Sequence, residues 1–219
     1  MLLVRFLCLC GFGTQLAADY FLGVPPEKSD PVPVQFTGRA TFLTTQTNVI
    51  CTLYFAVAVA DSLLGGSFDA VIRSLFPLVF GLGAFLSLAY YGLNHFNPVN
   101  VRKRAWWTKN GYPHVELASH LAHSLALPLV LLHAATIGQP VVDQSPGLVY
   151  TAVYIFMYCG FTVVSRAFSG AWVYPILDDV SKAGGCLGVL AFLVVLGGIA
   201  TLLSYCGICL VFLVSPSPL

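Results

Sequence analysis

Charge is what this sequence has least of. Only 9% of its 219 residues are Asp, Glu, Lys or Arg, while 58% are hydrophobic. A water-soluble domain carries about 25% charged residues. This chain therefore lacks the polar surface to cover itself in water and reads as an integral membrane protein. Mean hydropathy of +0.84 points the same way. Formal net charge is +1, with no polybasic or polyacidic tail, which argues against nucleic acid as a partner. Internal repeats and soluble stretches are also missing, so residues 1–219 read as a single transmembrane helical domain. The cysteines lack metal-site spacing. Cys8-x-Cys10 and Cys206-x-x-Cys209 have no flanking His and complete no zinc pattern. They read as small apolar packing residues in helices.

Apolar runs of bilayer length are abundant. A spanning helix needs about 20 such residues. Six runs qualify, at 2–22, 42–64, 71–93, 115–137, 147–168 and 186–214, which predicts an all-α bundle of six transmembrane helices. The first run has two readings: a retained helix, or a signal peptide processed near Ala17 and Ala18. The retained helix is favoured, because Asp19 and Tyr20 look like an interfacial end and the later helices need a partner. Pro25, Pro26, Pro31 and Pro33 predict an extended first loop. Gly81 and Gly83 offer close helix contacts, and Pro128 predicts a kink. Asp61 is expected to reach water, His114 and His133 to be interfacial, and His95 to lie in a loop.

Six spans put loops one, three and five on one face. Those loops and their borders hold Lys28, Arg39, Arg102, Lys103, Arg104, Lys109, Arg166 and Lys182, against Arg5 and Arg73 opposite. The positive-inside rule then predicts that face to be cytoplasmic, with both termini outside. Trp106 and Trp107, set among the basic residues of loop three, read as interfacial anchors. Thr44 and His123 both lie shallow from this same face, at roughly 3–14 Å depth for 1.5 Å rise per residue. The segment from Trp172 to Pro175 lies there too.

The fourth run is unusual in carrying ionisable groups. Glu116, His120 and His123 are spaced i, i+4, i+7, on one helical face. Such groups cost roughly 2.5–3.5 kcal/mol each at the centre of a membrane helix on insertion scales, and usually face an interior site. A threonine hydroxyl becomes a nucleophile when a base takes its proton, and histidine suits that work near neutral pH. Glu116 or His120 can orient the base, His120 being one turn away and the nearer. Ser119 and Ser124 can donate hydrogen bonds, and Thr47 and Asn48 can help hold an oxyanion. Other readings stay open. Thr44 can simply bond its own i−4 carbonyl. His120, His123 and Glu116 can hold a metal or haem. The polar face can line a path in a non-enzymatic lipid-binding or transport protein.

Three stretches carry a family resemblance: Phe42-Leu43-Thr44; His120-Leu-Ala-His123-Ser-Leu-Ala-Leu-Pro128; and Gly170-Ala-Trp172-Val173-Tyr174-Pro175-Ile-Leu177. In order and spacing they resemble the androgen-induced multi-pass membrane hydrolases that cleave fatty acid esters of hydroxy fatty acids. The resemblance covers roughly residues 40–205. It implies a threonine hydrolase of the endoplasmic reticulum or plasma membrane that uses no cofactor and acts on a lipid ester among membrane lipids. Thr44 is then the nucleophile and His123 the base. His120, Asn48, Thr47, Glu116, Trp172 and Tyr174 are then supporting residues. Thr47 departs from the pattern, since relatives carry an acidic or amide residue there.

Overall fold

A computed structural model describes residues 1–24, 38–138 and 143–214. The expected proline-rich loop lies outside the described residues. Helix α1 is Leu2–Leu22. A 3-10 turn, Gly38–Thr41, leads into α2, Leu43–Leu63. Helix α3 is Asp69–Ala89 and runs on as a π-helical segment, Tyr90–His95. Then come α4 (Pro98–Lys109), α5 (Val115–Ser124), α6 (Ala126–Ala134), α7 (Ser145–Ser169) and α8 (Pro175–Val214). The described residues contain no strand. Six helical stretches are long and apolar enough to cross a membrane, α3 with its π segment and α5–α6 together each counting as one. The protein is an all-α, multi-pass membrane protein. His95, expected in a loop, instead closes the π segment of the third span.

Helix α3 is the axis of the bundle and packs against α2, α6, α7 and α8. Small residues allow the close approach that drives helix association in lipid. A Cβ on Gly83 would lie 2.8 Å from Val130 of α6, and one on Gly81 would run into the Ser204 hydroxyl of α8. The outward faces carry Phe156, Phe168, Leu187, Val194 and Leu213, all exposed. That arrangement suits a solvent of lipid tails. Helix α1 packs along α2 and α5.

Its grip includes a buried ion pair. Arg5 Nη1 donates to Asp61 Oδ2 at 2.9 Å and to the Ala58 carbonyl at 2.8 Å. Asp61 Oδ1 accepts from the Phe68 amide at 2.6 Å. Asp61 is only 2% exposed, so the expectation that it reaches water is corrected. Arg5 is the nearby cation that makes its burial tolerable. His133 is likewise not interfacial. It is fully buried beside Phe55 and Phe76, with Nε2 3.0 Å from the Tyr54 hydroxyl. The imidazole meets both phenylalanine rings edge-on, at 76° and 65° between planes.

That kink falls at Leu125, between α5 and α6. Proline removes the N–H that would bond the carbonyl four residues back, and its ring crowds that carbonyl. Pro128 therefore disrupts the ladder at Ser124. Ser87 of α3 fills the opening: its hydroxyl donates to the His123 carbonyl and accepts from the Leu127 amide at 3.1 Å. Loop three also holds more order than a polar connection. Asn97 caps α4 by accepting from the Val99 amide at 2.9 Å, with Pro98 in the first turn. The sixth span is interrupted at Gly185, whose φ of +58° only glycine adopts readily.

Candidate functional site

The site forms where the start of α2 meets α5. Phe42 is extended and caps α2, so Leu43 and Thr44 occupy its first turn. An α-helix leaves its first amides without intrahelical acceptors. The Leu43 amide donates instead to the hydroxyls of Tyr158 and Tyr174, each at 3.0 Å. Tyr158 donates to the Thr41 carbonyl or to the Tyr174 hydroxyl, each at 3.1 Å. Two tyrosines from α7 and the segment before α8 thus hold the turn that presents Thr44.

Thr44 Oγ1 lies 3.0 Å from His123 Nε2. His123 Nδ1 lies 2.6 Å from the Ser119 carbonyl oxygen. A carbonyl can only accept, so Nδ1 carries the proton and Nε2 presents a lone pair to the threonine hydroxyl. The Tyr90 ring stacks on the imidazole at 3.9 Å between centroids and 10° between planes. Ser87 holds the carbonyl of the same residue. His123 is therefore fixed on its far nitrogen, its face and its backbone.

The expected orienter is corrected. Neither His120 nor Glu116 holds His123; the Ser119 carbonyl, one turn back, does. His120 turns away, its Nδ1 3.0 Å from the Tyr91 hydroxyl and its Nε2 3.5 Å from Glu116 Oε1. Glu116 accepts from Arg104 Nε at 2.6 Å. The set of His120, His123 and Glu116 is not assembled as metal ligands, because both His123 nitrogens are engaged elsewhere. Ser119 contributes its carbonyl to His123, not its hydroxyl.

A cavity of about 160 Å³ opens over the pair. Its lining includes Thr44, His123, Tyr90, Tyr158 and Tyr174. Phe85, Ile155, Leu193 and Leu196 make another part of the wall apolar, and Asn94, Asn97 and Asn100 add a polar group near the end of α3. Thr47 and Asn48 are fully buried and do not line it. Asn48 Nδ2 donates to the Ala122 carbonyl at 3.2 Å, which ties α2 to α5 one residue before His123. Trp172 is also outside the lining; it packs beside Leu177, with the Arg166 guanidinium 5.8 Å from its ring centroid. Tyr174 does reach the cavity. Burial pushes its phenol up from the ordinary tyrosine value, which keeps it a proton donor near neutral pH.

A profile of FAR-17a/AIG1-like proteins matches residues 1–207. The chain belongs to the FAR-17a/AIG1-like family. No curated protein and no solved structure matches it significantly. In this FAR-17a/AIG1-like chain, sequence reasoning missed Ser87, Tyr90, Tyr158 and the Ser119 carbonyl. Ser87 and Tyr158 are single polar residues inside apolar runs and carry no spacing signal. Only the Tyr90-Tyr91 pair, at the polar end of a span, offered a visible hint.

Proposed function

We propose that this FAR-17a/AIG1-like protein is a membrane-embedded threonine hydrolase of lipid esters, with fatty acid esters of hydroxy fatty acids as its substrate class. The observation that carries the reading is the Thr44–His123 contact of 3.0 Å in an apolar-walled cavity, with the imidazole tautomer set by the Ser119 carbonyl. An acyl chain matches the apolar wall, and the shallow position suits an ester entering from the lipid headgroup level of the endoplasmic reticulum or plasma membrane.

In this mechanism Thr44 Oγ attacks the ester carbonyl carbon while His123 Nε2 takes the hydroxyl proton. The resulting imidazolium is stabilised by the Ser119 carbonyl and by the Tyr90 face, which attracts a cation. The negative oxygen of the tetrahedral intermediate is met by the Tyr174 hydroxyl. That hydroxyl accepts from the Leu43 amide and, when Tyr158 donates to it, from Tyr158, which leaves its own proton to turn toward the cavity it lines. Collapse breaks the ester C–O bond, and His123 returns the proton to the leaving alkoxide. The acyl-threonine is then cleaved by water, with His123 again taking a proton and passing it to Thr44 Oγ. The products are a fatty acid and a hydroxy fatty acid.

The test is Thr44→Ala and His123→Ala in membranes, read by fluorophosphonate labelling and by hydrolysis of a defined ester. Thr44→Ala should abolish labelling, and His123→Ala should lower both readouts by about 10²–10⁴-fold, the usual contribution of a general base. Undiminished labelling and hydrolysis in either variant overturns the mechanism.

A further inference from the structure

Beside the Thr44–His123 pair, three further side chains converge. His95 comes from the π-helical end of the third span, and Glu116 and His120 from adjacent turns of α5. One donor atom from each lies within 4.8 Å of the other two. The two imidazole centroids are 4.7 Å apart. Zinc bonds to His nitrogen and carboxylate oxygen are about 2.0–2.2 Å, which sets tetrahedral ligand atoms roughly 3.3 Å from one another. Closing the cluster onto an ion thus needs movements of an ångström or so, within the reach of side-chain rotation.

The outward atoms of all three residues are already held. His120 Nδ1 is 3.0 Å from the Tyr91 hydroxyl, and His95 Nδ1 is 3.3 Å from the Tyr90 hydroxyl. Glu116 Oε2 accepts from Arg104 Nε at 2.6 Å, and Arg104 Nη2 donates to the His95 backbone carbonyl at 2.7 Å. Hydrogen bonds to the non-ligating atoms are what orient metal-binding histidines and carboxylates. His120 Nε2 and Glu116 Oε1 lie 3.5 Å apart, and a ring nitrogen of His95 completes the group within 4.8 Å. Arg104 offsets part of the Glu116 charge, which lowers affinity for any cation. It disfavours hard ions most, since those depend on carboxylate charge, whereas two imidazoles suit zinc.

We propose that His95, Glu116 and His120 form a zinc site with a fourth position open to water. Both histidines flank the residue that fixes the base. The Tyr90 hydroxyl touches His95, and its ring stacks on His123. Zinc there fastens the end of the third span to α5 and holds Tyr90 between the two. π-helical turns are frequent at functional sites, and here the turn delivers His95. This site stands apart from ester hydrolysis, because it uses neither Thr44 nor His123.

The test uses the full chain purified in detergent, stripped with chelator and dialysed against Zn²⁺ or Co²⁺, with metal content by elemental analysis and the visible ligand-field band of cobalt. About one ion per chain is expected, as for a three-residue site with one open position. His95→Ala and His120→Ala should each lose tenfold or more in affinity. Tyr91→Phe, which leaves every ligand in place, should lose roughly tenfold through its outer hydrogen bond. Thr44→Ala should bind as the parent does, and circular dichroism should find every variant fully helical. Two results overturn the proposal: no metal retained by the parent chain at micromolar Zn²⁺, or binding unchanged in both histidine variants.

Discussion

Removing the Arg5 guanidinium tests both the packing of α1 and the energetics of a buried charge. Arg5 and Asp61 are each 2% exposed, and the bridging Nη1–Oδ2 distance is 2.9 Å. Arg5→Met keeps the unbranched stem, loses the guanidinium and leaves the Asp61 carboxylate with the Phe68 amide as its remaining close partner. Breaking one member of a buried pair costs about 3–5 kcal/mol, because the other charge stays buried and uncompensated. For a chain of this size that corresponds to a fall of about 6–20 °C in melting temperature. Asp61→Asn should cost a similar amount for the mirrored reason. The double variant Arg5→Met/Asp61→Asn removes both charges and should melt near the single variants, not at the sum of their losses. Thermal unfolding in detergent, followed by helical circular dichroism, reads all three. A loss under about 1 kcal/mol for Arg5→Met, or additive losses in the double variant, refutes the reasoning. Insensitivity to Arg5 would also favour removal of residues 2–22 as a signal peptide over their retention as the first span.

Two further expectations concern the site. Tyr174→Phe should lower kcat for ester hydrolysis by about 10²–10³-fold, the usual effect of deleting one oxyanion donor, with KM nearly unchanged. The Leu43 amide keeps Tyr158 as its acceptor, so melting should hold steady, and an unchanged kcat excludes the oxyanion role. Ser87→Ala strips the bridge between the His123 carbonyl and the Leu127 amide and should cost about 1–3 kcal/mol, with partial recovery in Ser87→Thr. An unaltered melting temperature would mean that the helical ladder closes directly without the serine.

The outline of the bundle was legible because lipid leaves few choices. Every backbone polar group in the bilayer must be satisfied internally, so an apolar run of the right length becomes a helix. The six spans and the kink ahead of Pro128 followed from composition and Pro alone. Their edges shifted by a few residues, as where the third span extends to His95, except that α8 begins at Pro175, eleven residues before the expected start at 186. The pairing of Thr44 with His123 was legible as a matter of depth, because both enter the membrane from the same face. The ionic features were harder. Asp61 looked free to reach water, since nothing local reveals a cation 56 positions earlier in the chain.

Sequence by itself determined the class of molecule, the number of its spans, and which polar residues sit at matching distances from the ends of their spans. These depend on properties summed along the chain or repeated at helical spacing. Only the tertiary structure decided what each polar residue does. Glu116, His120 and His123 share one face of α5 by periodicity, yet the approach of neighbouring elements divides them. Thr44 and Tyr90 claim His123, while Tyr91, Arg104 and His95 claim His120 and Glu116. The choice of the Ser119 carbonyl as orienter is equally a matter of rotamer and packing. A hydrogen bond is short-ranged and directional, so spacing along one helix cannot say which partner on another helix will complete it.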